Sequence, residues 1–483
     1  MIMNAISEKA NMDYGTGPVL RALIAVLMIS GTCLPADLAA EYQDGSSLTY
    51  SQQQGANLAH SHLNRSDLSY SSLDGSDLSL SYLISSCFSG ANLDGCNLKR
   101  SKMSGADLTR ASAIGSDFSG ADMGRVCLQE ANLTGAMLAG ADLTGANMKN
   151  ADLSGANLSG AILQEARLSG ANLTHAILKG AIMNSVNLTG ADLTGADLSQ
   201  ASLSESRLSG ATMRGCSLFD ADLTSAEMNS VDLCDADMTG ARMFGASLMN
   251  ARMSGIKLNN SILIAARLSW ADLGNSSLSN SQLSRCEMYG TNLRGSDLSG
   301  SDFTRGYLMR ANMSESNLTG ANLAFADLTE VNLSQSDLKG INMQTLELTR
   351  ANLSGADLTG NSIDFNKMLN TSLHKAIMKN TTISHVALKN VDMSQAVLVG
   401  AKISIAVMEE VNLSGADLQD ADLDILYIKD ANLHGANLQG IKCDSFTLQY
   451  LSEEMKARLS KTGLNMSDSL MAEIADMNKS PET

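Results

Sequence analysis

Large aromatic side chains are scarce in this chain: Phe, Tyr and Trp make up 4% of its 483 residues, and there is one Trp. A globular interior of that size leans on such rings for buried area, so a conventional multi-domain arrangement is disfavoured. Proline is scarcer still. Only Pro18, Pro35 and Pro481 occur, so from residue 36 to 480 every backbone N–H is available to a ladder. Basic charge is short as well, with 34 Lys and Arg against 51 Asp and Glu, a net of −17. Binding to nucleic acid depends on cations facing phosphates. The excess of acid argues against that and is compatible with a basic partner, though Asp is also a residue that the repeat described below prefers at one outward position. The six histidines and eight cysteines are dispersed, and none has metal-site spacing. No nucleophile, base and orienting group can be assembled and no phosphate-binding loop occurs. Neither catalysis nor a cofactor is expected.

What is abundant follows a fixed order. From Ala56 the chain reads ANLAH SHLNR SDLSY SSLDG, and later ADLTG ANMKN ADLSG ANLSG. A central apolar residue falls at every position ending in 3 or 8 from Leu48 to Leu448, 81 pentads without insertion or deletion. Gln53 is the one polar centre, and Ala113 and Cys443 are small ones. Two residues before each centre stands mostly Ala or Ser, Asp or Asn is common between, and Ser/Thr then Gly often follow. A period of five fits neither helix nor flat strand. It fits stacked polygonal coils in which each pentad forms one side. The centre and the small residue then point inward, three positions face water, and Gly or a small polar residue relieves each corner. Buried Leu at every pentad contributes roughly 1.5–3 kcal/mol. Cys96, Cys216 and Cys286 take the small inward position, Cys443 a centre, and Cys87, Cys127 and Cys234 outward positions, with Cys33 before the array. They read as free thiols too far apart for a disulfide framework.

The pattern A(D/N)LXX over residues 48–448 resembles that of the pentapeptide-repeat family. The resemblance implies an all-β solenoid: a right-handed quadrilateral β-helix of four pentads per coil. That means about 20 coils and roughly 95 Å at ~4.8 Å per coil. Phe occupies a centre only at Phe88, Phe118 and Phe303, with Met used instead. Some family members mimic duplex DNA and bind type II topoisomerases, several of them through loops that interrupt the coil. The unbroken register here points away from that role. Others are effectors delivered into host cells. The first expectation is therefore a bacterial protein–protein interaction scaffold.

Residues 1–47 precede the array. Arg21, the apolar run Ala22–Ile29 and the small residues to Ala40 are compatible with a signal peptide over residues 12–40, or with an N-terminal cap. Localisation is open between bacterial cytoplasm and export. The run is too short for a transmembrane helix. Residues 449–483 place Leu451, Met455 and Leu459 at helical spacing between Ser452, an N-cap, and Gly463. Leu470, Ile474 and Met477 follow on a second candidate helix. A helical cap over the last coil is expected, or a homodimerisation element.

Sorting outward residues by stacked position, twenty apart, separates the sides. One side has Asn before centres Leu133, Leu173, Leu293, Met313, Leu333 and Leu353, a polar ladder. Another places Trp270, Tyr289 and Tyr307 on three successive coils with Arg267 and Arg310 beside them, and also carries Arg167, Arg207 and Lys367. Exposed aromatics with Arg are typical interface anchors, so this is the candidate partner site.

Overall fold

The computed structural model describes residues 44–443. The described residues form two compact units, divided between Asp197 and Leu198. In each, the pentad is the structural element. Parallel bridges join residues twenty apart, from Ser47↔Asp67 to Ile177↔Asp197 in the first unit and from Ser202↔Asp222 to Asp417↔Asn437 in the second. Four pentads therefore complete one coil, and both units are β-solenoids.

The repeat's sequence accounts for all five of its backbone donors. In residues 301–305 of the second unit, Ser301 N–H closes a turn on the Leu298 carbonyl at 3.2 Å. Asp302 N–H reaches back one coil to Ser281 O at 2.9 Å, and Phe303 and Arg305 N–H reach forward to Asn322 O and Ala324 O at 2.7 and 3.0 Å. The remaining donor, Thr304 N–H, meets the Asp302 carboxylate at 3.0 Å, and the Thr304 hydroxyl donates to the same oxygen. Residues 106–110 of the first unit repeat this arrangement, with Thr109 N–H on Asp107 Oδ1 at 2.9 Å. Asp or Asn followed two residues later by Ser or Thr is thus a side-chain turn that satisfies an otherwise orphaned amide. Much of the acidic composition is this turn.

Inward positions are as the pattern requires. Centres such as Leu128, Phe303 and Leu298 and small residues such as Ala146 are fully buried. Where the small residue is Ser, its hydroxyl donates into the coil below: Ser301 Oγ to Leu278 O at 2.5 Å, Ser296 Oγ to Leu273 O at 2.8 Å. Cys286 and Cys96 use their thiols the same way, on Leu263 O and Leu73 O at 2.8 and 2.9 Å.

Every fifth residue from Gly45 to Gly440, except Ile425, has positive φ. Glycine fills 33 of these corners, but 46 are other residues, many of them large. The expectation of glycine or small polar corners is therefore only partly met.

Extended strands occur in the second unit at residues 362–443. They are β1 (Ser362–Asp364), β2 (Lys367–Leu369), β3 (Thr382–Ser384), β4 (Ala387–Lys389), β5 (Lys402–Glu409), β6 (Asp422–Lys429) and β7 (Lys442–Cys443). All pair in parallel at a spacing of twenty, save one slip. Between β5 and β6 the register shifts so that Ala406 opposes Ile425. Ile425 is buried, while Leu426 is 49% exposed. The unbroken register of the sequence is broken here in space: Ile425 takes the inward place and Leu426 faces outward, although Leu346 at the equivalent position of an earlier coil is buried.

Two other coils are mismatched. Ile341 and Leu346 occupy small slots, and the residues stacked above them are Asn361 and Asn366, all buried. Leu346 N–H turns to Asn366 Oδ1 at 2.6 Å. Nearby ladder bonds, Thr345 N to Asp364 O and Glu347 N to Ala326 O, lengthen to 3.4 Å. Asn361 Oδ1 and Asn366 Nδ2 have no protein partner.

Candidate functional site

Three of the five predicted side chains meet. Trp270 projects from a left-handed corner, φ 64°, and is 58% exposed. Its ring lies over Gly290 of the next coil, where an added Cβ would stand 2.6 Å from Cε3 and Cζ3. Glycine is required there by that close approach. Tyr289 meets the indole edge-on, centroids 5.1 Å apart at 79°. The Tyr289 hydroxyl accepts from Arg310 Nη1 at 2.6 Å, and the guanidinium carbon lies 5.7 Å from the Tyr289 ring centre.

The arginines are not free cations. Arg310 Nε donates to Glu330 Oε2 at 2.6 Å, and Arg350 takes the other Glu330 oxygen at 2.8 Å. Hydrogen bonding from Arg310 holds the Glu330 carboxyl below its ordinary pKa. Arg267 pairs with Glu287 at 3.4 Å and touches Met249 Sδ at 3.3 Å. Arg207 and Lys367 are likewise paired, with Glu227 and Glu347. Around the aromatic pair, in the second unit, the side expected to be aromatic and basic thus has its Arg267, Arg310 and Lys367 charges paired. Tyr307, 53% exposed, bridges Glu287 through its backbone and stands apart from the Trp270–Tyr289 pair. Gly290, Glu287 and Glu330 were missed by sequence reasoning, although the spacing of twenty between Arg267 and Glu287, and between Arg310 and Glu330, carries the signal.

The asparagine ladder is structural. Asn352, Asn332 and Asn312 each donate Nδ2 to the oxygen of the residue below, at 3.1, 3.1 and 3.4 Å, and Asn292 ends the run on Asp272 at 2.7 Å. Burial pushes the thiols of Cys96, Cys216 and Cys286 up to about 12. Cys234, expected to face outward, is buried instead. Ser254 Oγ, 3.4 Å away on the next coil, helps to cover it. Leu451, Met455 and Leu459, and the segment 12–40, lie outside the described residues.

A β-solenoid of five-residue sides defines the class of protein. The family model described as pentapeptide repeats (8 copies) matches residues 46–125, 127–263, 266–305, 307–361 and 388–442. The chain belongs to the pentapeptide-repeat family. No curated protein matches it. Among solved structures it is similar to HetL, a pentapeptide repeat protein involved in heterocyst differentiation regulation from the cyanobacterium Nostoc sp. strain PCC 7120. That match is at 29% identity over 48% of this chain and 89% of that one, TM-score 0.22. It is also similar to a pentapeptide repeat protein of the Arabidopsis thaliana thylakoid lumen, at 24% identity over 21% and 70% of the two chains, TM-score 0.21. QnrB1, a plasmid-mediated fluoroquinolone resistance protein, matches at 17% identity over 52% and 95%, TM-score 0.20.

Proposed function

We propose that this chain is a non-catalytic scaffold that holds a protein partner against the Trp270 side of its second unit. The observation that carries the reading is the posed cluster of Trp270, Tyr289 and Arg310. An exposed indole is buttressed by Gly290, by an edge-on tyrosine and by an arginine already fixed by Glu330. Side chains held in place before binding lose little freedom on association, and Trp, Tyr and Arg are the residues that dominate interface energetics. Because the neighbouring charges are paired, recognition rests on apolar and aromatic contact. The right-handed sense, a total of about 20 coils and a C-terminal cap or dimer contact through Leu451, Met455 and Leu459 belong to the same reading.

The test is Trp270→Ala with Tyr289→Ala, folding checked by circular dichroism. Retention of a specific partner from lysate should be lost, and undiminished retention would sink the assignment. A gyrase supercoiling assay with quinolone addresses DNA mimicry. Protection of gyrase would replace the scaffold reading. It is disfavoured because the repeat's Asp carboxylates are engaged in their own turns. Cell fractionation with N-terminal sequencing separates cytoplasmic from exported protein, and recovery inside a host cell would favour a delivered effector.

A further inference from the structure

The second unit carries an exposed apolar stripe that the repeat does not call for. Stacked at one corner are Arg305, Phe325, Thr345, Phe365, His385 and Ile405. Phe325, Phe365 and Ile405 are 47%, 59% and 41% exposed. The His385 ring stacks on Phe365 at 4.7 Å, and Arg305 sits 5.9 Å over Phe325. All six occupy left-handed corners, and Thr345 and Ile405 are the two β-branched residues among the 46 non-glycine corners. That region suits β-branched side chains worst. One coil further, where the register slips, Leu426 and Tyr427 turn outward beside the same corner. The strands β1 and β3 approach this corner on one side, β2 and β4 leave it on the other, and β5 runs through it at Ile405.

The chain also leaves the described residues at this corner. β7 lays Cys443 on Leu423, two residues before the position that would stack on Ile425. The segment that follows carries Leu451, Met455 and Leu459 and then Leu470, Ile474 and Met477. From Leu426 back to Phe325 the stripe covers about 24 Å, five coils at ~4.8 Å, a span that ~16 helical residues match.

We propose that residues 449–483 fold back along this corner, with their apolar side chains covering Ile405, Phe365 and Phe325. The stripe is the corner that borders the Trp270 side, but it does not include Trp270, Tyr289 or Arg310, and the proposal does not depend on the scaffold reading. A tethered segment that starts at the stripe faces an effective concentration in roughly the millimolar range, which a free partner seldom matches. This departs from a cap confined to the last coil.

Hydroxyl-radical footprinting of the full chain tests it, comparing wild type with the Leu451→Asp, Met455→Asp, Leu459→Asp variant. The variant should label at least fivefold more at Phe365 and Ile405, with Trp270 unchanged. Equal labelling in the two proteins overturns the proposal. So does a rise confined to Leu426 and Tyr427, which means an end cap. Protection that disappears on dilution also overturns it, because the cover is then a second copy. Should the variant misfold, Phe365→Ser with Ile405→Ser gives the reciprocal measurement. Trypsin should then cut at Lys456, Arg458 and Lys461 several-fold faster, and an unchanged rate counts against the docking.

Discussion

Exchanging Ser301 and Asn361 in kind tests how the inward small slot works. Ser301 Oγ donates to Leu278 O at 2.5 Å, and Asn361 Nδ2 donates to the equivalent Leu338 O at 2.7 Å, each from the coil below. The serine leaves nothing unpaired, whereas Asn361 buries an oxygen without a protein partner. Ser301→Asn places the larger amide in a well-matched slot. An unsatisfied buried group costs about 1–3 kcal/mol and overpacking about 1–3 kcal/mol more, so a loss of about 2–6 kcal/mol is expected. Asn361→Ser keeps the donated bond and removes the orphan oxygen. It forfeits a little packing, about 1 kcal/mol, and the expected net is a gain of about 1 kcal/mol. Urea unfolding followed by circular dichroism gives both values. In the wild type, hydrogen exchange should be at least tenfold faster at Thr345 and Glu347 than at Arg305 and Tyr307, a gap of about 1.4 kcal/mol. A costless Ser301→Asn, or an Asn361→Ser that destabilises by more than about 1 kcal/mol, refutes the reasoning, as does uniform exchange.

Leu298→Asp puts an unpaired charge at a fully buried centre and should cost roughly 4 kcal/mol or more, unfolding neighbouring coils; unchanged melting contradicts the inward assignment. Gly290→Ala meets both the Trp270 ring at 2.6 Å and a φ of +64°, so the fluorescence of the single Trp should shift while stability falls by about 1–2 kcal/mol. Iodoacetamide at pH 8 should modify the partly exposed Cys87 and Cys127 and spare Cys96, Cys216 and Cys286, whose thiols stay protonated up to about 12. The folded thiol values lie above the unfolded value of ~8.5. Their contribution to stability is therefore complete below that pH and is lost as pH rises towards 12; urea midpoints between pH 8 and 11 measure it.

The solenoid was legible because two inward positions recur in phase, and a buried Leu such as Leu298 has one place to go. The role of Asp302 was not, since a carboxylate two residues before a threonine does not announce which donor it meets. Only the coil geometry shows that Thr304 N–H lacks a carbonyl. Counting twenties put Trp270 and Tyr289 on successive coils, and their rings meet. The same count, applied to Glu287 and Glu330, exposes the pairing of Arg267 and Arg310, which residue type alone hides. Cys234 and Leu426 mark where the position rule fails. A neighbouring coil covered the first, and the second is turned outward where β5 and β6 slip in register.

The spacing of twenty makes the surface depend on arithmetic in a way the core does not. Deleting residues 276–280 would remove one whole pentad and leave every later centre facing inward. Yet each residue beyond the deletion would move to the adjacent side. Tyr289 and Arg310 would keep their own contact but would no longer stand beside Trp270. Gains or losses of five residues are thus silent to the fold and rewrite what it displays, whereas only multiples of twenty preserve both. Such a protein can acquire a new face in a single genetic step while its interior registers nothing.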